Sequence, residues 1–201
     1  MSKTAKFWLF LLIVSAIFWL GGINIRAIIG NDLLNYDEFS FRTGIPPDEE
    51  NWIFRLLSFS SLFIMSSYAV VLLSAIVFLK SSKLNIKENA WLLMCAILFF
   101  AFVPVEIYTY YLDIKFYLLY LQNPPNHDGL LKIFGERIGF LKGVPYIAVL
   151  SYYTIILIAV FRPLHKTKTQ LEEEKKKEKE YSYKYHMHED DDLDIITKEN
   201  Q

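Results

Sequence analysis

Residues 7–25, 56–79, 90–112 and 144–161 are long apolar runs separated by polar connections. A helix rises about 1.5 Å per residue, so roughly 20 residues cross a hydrocarbon core of about 30 Å, and each run is near or above that length. The pattern predicts an all-α integral membrane protein with four transmembrane helices arranged as two antiparallel hairpins. Residues 1–161 form the expected membrane domain, and 162–201 a charged tail. Lys3 and Lys6 ahead of Phe7–Leu20 also resemble the start of a secretory signal peptide. Gly21–Ile29 offers no clear small-x-small cleavage site and the apolar character continues, so a retained first helix is expected.

The connections are unequal. Residues 80–89 are short and hold Lys80, Lys83 and Lys87 against Glu88, while Arg162, Lys166 and Lys168 follow the last run. Positive charge beside the spans marks the cytoplasmic side, so this loop and both termini are expected there. The outer connections, 26–55 and 113–143, are longer. The first is acidic and contains Pro46-Pro47; the second contains Pro124-Pro125, then Leu130, Leu131, Phe134, Ile138 and Leu141 at helical spacing. That apolar stripe predicts an outer helix lying in the membrane interface.

The two halves share an order: Trp8 opens the first span and Trp91 the third, and a Pro-Pro pair precedes each returning span. A tandem duplication of one hairpin would produce this, as would the interfacial Trp and loop Pro common to membrane hairpins. Small residues mark close helix packing in lipid. Gly135, Gly139 and Gly143 recur every four residues, and Ser60, Ser67 and Ser74 every seven; both rows are expected to pack within the chain, with homodimerisation through Gly139 and Gly143 as the alternative.

Composition sharpens rather than changes this reading: 53% of 201 residues are hydrophobic and 16% aromatic, with a net charge of −1. Nearly half of the formal charges lie in 162–201, so the near-neutral total averages two unlike parts and no nucleic-acid partner is expected. Cys95, the single cysteine, lies in an apolar run and is read as a small hydrophobe. Glu172–Lys176 and Glu173–Lys177 favour a short solvated helix, followed from Tyr181 by disorder. His186, His188 and the acids after them are read as that flexible tail rather than a metal site.

Chemistry is sparse. The chain has no Cys-x-x-Cys, no His-Glu-x-x-His, no Gly-x-Ser-x-Gly, no phosphate-binding glycine loop and no histidine within a run. No catalytic residue, metal site or cofactor is expected, and the reading leans away from an enzyme. One carboxylate, Glu106, stands well inside an apolar run, two residues after Pro104. Ionisable groups at such depth are costly unless paired, so they face the bundle interior. Arg26 is its expected partner, with Asn24, Arg55 and Arg137 completing an intramembrane polar cluster. Tyr108, Tyr110, Tyr111, Phe116, Tyr117 and Tyr120 crowd the same region and read first as an interfacial belt, second as an aromatic pocket.

Two functions follow. The first is an accessory protein whose partners are the lipid bilayer and another membrane protein or a second copy of the chain. The alternative is a carrier or a lipid- or quinone-binding protein built around Glu106 and Arg26.

Overall fold

A computed structural model describes residues 2–35, 40–82, 89–122, 126–139 and 143–163, together with Thr169, Gln170, Glu173, Lys176 and Lys177. Four candidate spans are present: Lys3–Asn31, Pro47–Ser82, Ala90–Tyr120 and Val144–Phe161. The shortest has 18 residues, or about 27 Å of helix. Phe10, Ile17, Leu73, Ile97, Leu150 and Val160 are more than half exposed on these helices. Helices that are apolar on their outward as well as their inward faces are membrane helices, and the protein is a multi-pass membrane protein.

Local chemistry sets the helix ends. The first helix, α1 (Lys3–Asn31), is capped by Ser2, whose hydroxyl accepts the Ala5 N–H at 3.1 Å. Two short strands follow, β1 (Leu34–Asn35) and β2 (Ser40–Phe41), paired antiparallel with Leu34 opposite Phe41. Pro47 opens α2 (Pro47–Ser82), where a missing N–H costs nothing, and Asp48, Glu49 and Glu50 meet the positive end of its dipole.

The third span is two helices, α3 (Ala90–Ala101) and α4 (Val103–Tyr120). Pro104 has no N–H to give and crowds the preceding turn, so the ladder resets at Phe102, whose N–H reaches back to the Phe99 carbonyl at 3.3 Å. After α5 (His127–Gly139) comes α6 (Val144–Phe161), which starts at Gly143 in a left-handed conformation with φ 94°. That conformation is open to glycine at little cost. It also removes Gly143 from the helical row expected with Gly135 and Gly139, since its φ lies outside the helical region.

Along its length α1 packs on α2; α3 and α4 lie on α6, and α4 also meets α2 and α5. The interior has two parts. Trp19, Ile64, Tyr68, Val71, Tyr110, Ala148 and Tyr152 fill the middle of the bundle. Leu33, Ile53, Phe54, Leu57, Phe116, Leu130 and Phe134 fill the end beneath α5 and the β-hairpin. Leu130 and Phe134, expected to face lipid, are turned onto protein instead, at 0% and 4% exposure. Leu141 lies outside the described residues, as do Pro124-Pro125, the lysines at 83 and 87, and residues 178–201.

The small-residue rows differ from expectation too. Of the serines on α2, Ser58, Ser61, Ser74 and Ser82 are buried, while Ser60 and Ser67 are only partly covered. Gly22, absent from the expected rows, lies tight against α2: a Cβ there would be 2.8 Å from Ile64 Cγ1.

Candidate functional site

Among the described residues the most deeply buried charge is Asp113, at 0% exposure on α4. It is one residue beyond the apolar run that ends at Leu112, and α4 carries it inward because Thr109, Leu112 and Phe116, at helical spacing around it, are buried on the same face. Arg26 of α1 donates Nη1 to Asp113 Oδ2 at 2.6 Å, and Arg137 of α5 donates Nε to Oδ1 at 2.7 Å. One carboxylate thus joins three helices through two charge-assisted bonds. Burial works against the charge on Arg137, but the Asp113 carboxylate outweighs it and holds the guanidinium above its ordinary pKa. Arg26 is 4% exposed, and its Nε has no hydrogen-bond partner among the described residues.

Two turns back along α4, Glu106 is 7% exposed. Its Oε1 accepts the hydroxyl of Tyr152 on α6 at 3.0 Å. Around it stand rings from all four spans. Trp19 donates Nε1 to the Tyr110 hydroxyl at 2.9 Å and lies 4.6 Å from the Tyr152 ring and 4.9 Å from Tyr68. The Tyr68 hydroxyl is buried without a partner among the described residues. The expected tyrosine belt is therefore divided: Tyr110 and Phe116 point into the bundle, while Tyr108 and Tyr111 are exposed.

Between these two polar groups lies a cavity of about 360 Å³. Its floor is Glu106 and Thr109 of α4 and Phe134, Arg137 and Ile138 of α5; Arg26 and Gly30 of α1 form one wall. Asn24, Ala27 and Asn31 of α1 and Tyr146 and Leu150 of α6 line it too and are exposed, so the mouth lies between α1 and α6. At one edge of that mouth Asn24 donates to the hydroxyl of Tyr153 and bridges the two helices.

Of the polar residues expected to cluster, Glu106, Arg26, Asn24 and Arg137 share this cavity. Arg55 does not: it is exposed, with its guanidinium 4.9 Å from the Trp52 ring centroid. The pairing also differs. Arg26 is taken by Asp113, not Glu106, and among the described residues no cation forms an ion pair with Glu106. Asp113 escaped the sequence reading because the span was closed at Leu112. Ile114, Phe116, Leu118 and Leu119 beyond it show that the helical pattern runs on.

A second polar contact fastens α5. His127, in its first turn, bonds Glu50 of α2 through Nε2 and stacks edge-on against Phe54 at 5.7 Å. That bond raises the His127 pKa above the ordinary imidazole value, with burial opposing it. Among the described residues no group of His, Cys, Asp and Glu side chains is placed to hold a metal ion. Comparison with family models, curated proteins and solved structures finds no match to this chain.

Proposed function

We propose that this protein binds an amphiphilic small molecule within the membrane, in the cavity between α1, α4, α5 and α6. The observation that carries the reading is the cavity itself: it is lined mostly by apolar surface, reaches Arg26, Arg137 and Glu106 inside the bundle, and opens sideways between two lipid-facing helices. Its volume of about 360 Å³ falls within the roughly 300–1,000 Å³ typical of small-molecule sites. Buried polar groups in a span mark ligand pathways more often than packing alone requires. A bundle serving only as an accessory scaffold has no need of a lateral opening onto a buried guanidinium, so the partner-binding role read from the loops and tail takes second place.

In this reading α1 with α2, and α3–α4 with α6, are two hairpins descended from one, their termini on the cytoplasmic side. Helix α5 closes the outer end, its polar face at the interface and its apolar face on the bundle. The test is co-purification. Extraction in a mild detergent followed by lipid mass spectrometry is expected to find one amphiphile enriched over the bulk extract. Leu150→Trp, which fills the mouth from the lipid side, is expected to abolish that enrichment without lowering thermal stability. No enriched molecule in the wild type, or equal enrichment in Leu150→Trp, refutes the reading.

A further inference from the structure

Resting on that reading, we propose that the amphiphile carries an anionic headgroup, a carboxylate or phosphate ester, seated between Arg26 and Arg137 with its apolar chain leaving between α1 and α6. Charge and hydrogen-bond accounting lead there. Two guanidinium groups share one carboxylate: Asp113 takes Nη1 of Arg26 and Nε of Arg137, and it does not itself line the cavity. Both arginines do line it. Arg26, 96% removed from solvent by its 4% exposure, keeps an Nε–H with no acceptor, and the terminal nitrogens of Arg137 have no partner among the described residues. Two guanidinium groups lining one space in a low-dielectric setting fit the oxygens of an anion.

Other headgroups fit worse. A cationic head would meet two like charges, and the one acid on the wall, Glu106, already accepts a hydrogen bond from Tyr152. A neutral hydroxyl could accept from either guanidinium but would leave the two positive charges sharing the single negative charge of Asp113. Arg26 lies five residues before the end of α1, about 8 Å below it, so a head seated there is below the helix end while its chain can extend sideways through the rim.

The test compares anionic and neutral heads on one oleyl chain, titrated calorimetrically into the purified full chain in dodecylmaltoside. Oleate and oleyl phosphate are expected to bind at least tenfold more tightly than oleyl alcohol, and Glu106→Gln to strengthen oleate binding severalfold by removing the one acid on the wall. Arg137→Gln is expected to cut the anion preference to threefold or less while leaving oleyl alcohol binding in place. Equal binding of oleate, oleyl phosphate and oleyl alcohol to the wild type overturns the anion inference and leaves the amphiphile site standing. Binding of none of the three overturns both.

A further arm separates the sources of the same chemistry. The protein released from nanodiscs of mixed phosphatidylcholine and phosphatidylglycerol is weighed by native mass spectrometry. Retained phosphatidylglycerol that oleate displaces identifies a bilayer lipid as occupant; oleate binding with no retained phosphatidylglycerol identifies a free amphiphilic acid. Preferential retention of phosphatidylcholine counts against the proposal. The wild-type comparison stands even if Arg137→Gln fails to fold.

Discussion

Replacing Asp113 by Asn is expected to cost more than any other single polar change in the bundle. Asp113 is 0% exposed and Arg26 4%, and the two bonds between this carboxylate and its arginines measure 2.6 and 2.7 Å. A surface ion pair contributes about 0–1 kcal/mol, but removing one partner of a buried pair costs about 3–5 kcal/mol, because the remaining charge stays buried without compensation. Here two guanidinium groups lose their anion together, so the upper part of that range applies. For a chain of this size each kcal/mol shifts the melting temperature by roughly 2–4 °C, so about 4–5 kcal/mol gives a fall of about 8–20 °C. The measurement is thermal unfolding in a fixed detergent, followed by tryptophan fluorescence. A companion variant, Asp113→Leu with Arg26→Met and Arg137→Met, removes all three charges and is expected to recover most of the loss, since well-packed apolar replacements of buried ionic groups are often neutral or stabilising. A shift of under 3 °C in Asp113→Asn, or a triple variant no more stable than the single, would refute the assignment of Asp113 as the charge that holds α1, α4 and α5 together.

Three further outcomes are expected. Gly22→Ala places a methyl 2.8 Å from Ile64 Cγ1 on a fully buried side chain and should cost about 1–3 kcal/mol in unfolding experiments, whereas Gly139→Leu, with nothing within 4 Å, should leave stability and the oligomeric state from light scattering unchanged. The raised pKa of His127 makes its bond with Glu50 a pH-dependent contribution. It is fully present below the ordinary imidazole value of 6.5 and is lost as pH rises through the higher folded value, so melting temperature should decline across that window and His127→Gln should flatten the decline. Deleting residues 181–201 should leave the melting curve of the membrane domain intact, because that segment is dominated by charged and polar side chains and lies beyond the last apolar run.

How much of this was legible in the sequence depended on which property each residue expresses. The four spans were plain because lipid makes no demand for polar outer faces: Phe10 at 62% exposure and Trp19 at 2% belong to the same unbroken apolar run. That same uniformity hid which face turns inward. Ser60, Ser67 and Ser74 do share one row at a seven-residue spacing, but the buried face of α2 is centred on Leu57, Ile64, Val71 and Phe78 with Ser61 and Ser82 beside them, which leaves the expected row at the edge of that face. The site was half legible. Glu106 stood out as a charge between apolar neighbours, while Asp113 sat where hydropathy alone placed a loop, and only the continuing helix, with Thr109 and Phe116 on one face, makes it an interior residue. The role of α5 was hidden for a similar reason. An amphipathic helix shows the same stripe whether it covers lipid or protein, and the apolar pockets left by Leu33, Ile53 and Leu57 decide in favour of protein.

The position of Asp113 outside the cavity ties the architecture to the proposed ligand. A carboxylate that neutralised Arg26 from within the cavity would occupy the place of an incoming anion and compete with it. Asp113 instead approaches from the α4 side, using one nitrogen of each arginine and fixing the orientation of both guanidinium planes. The donors it leaves over are held in place before any ligand arrives, which lowers the ordering cost of binding. Arg137 also comes from α5, whose attachment rests on Leu130, Phe134 and the contact of His127 with Glu50. Loosening α5 therefore removes one of the two cations from the site along with part of its floor. By this logic His127→Gln, which touches nothing in the cavity, should weaken oleate binding more at pH 6 than at pH 8, whereas Leu150→Trp should weaken it equally at both.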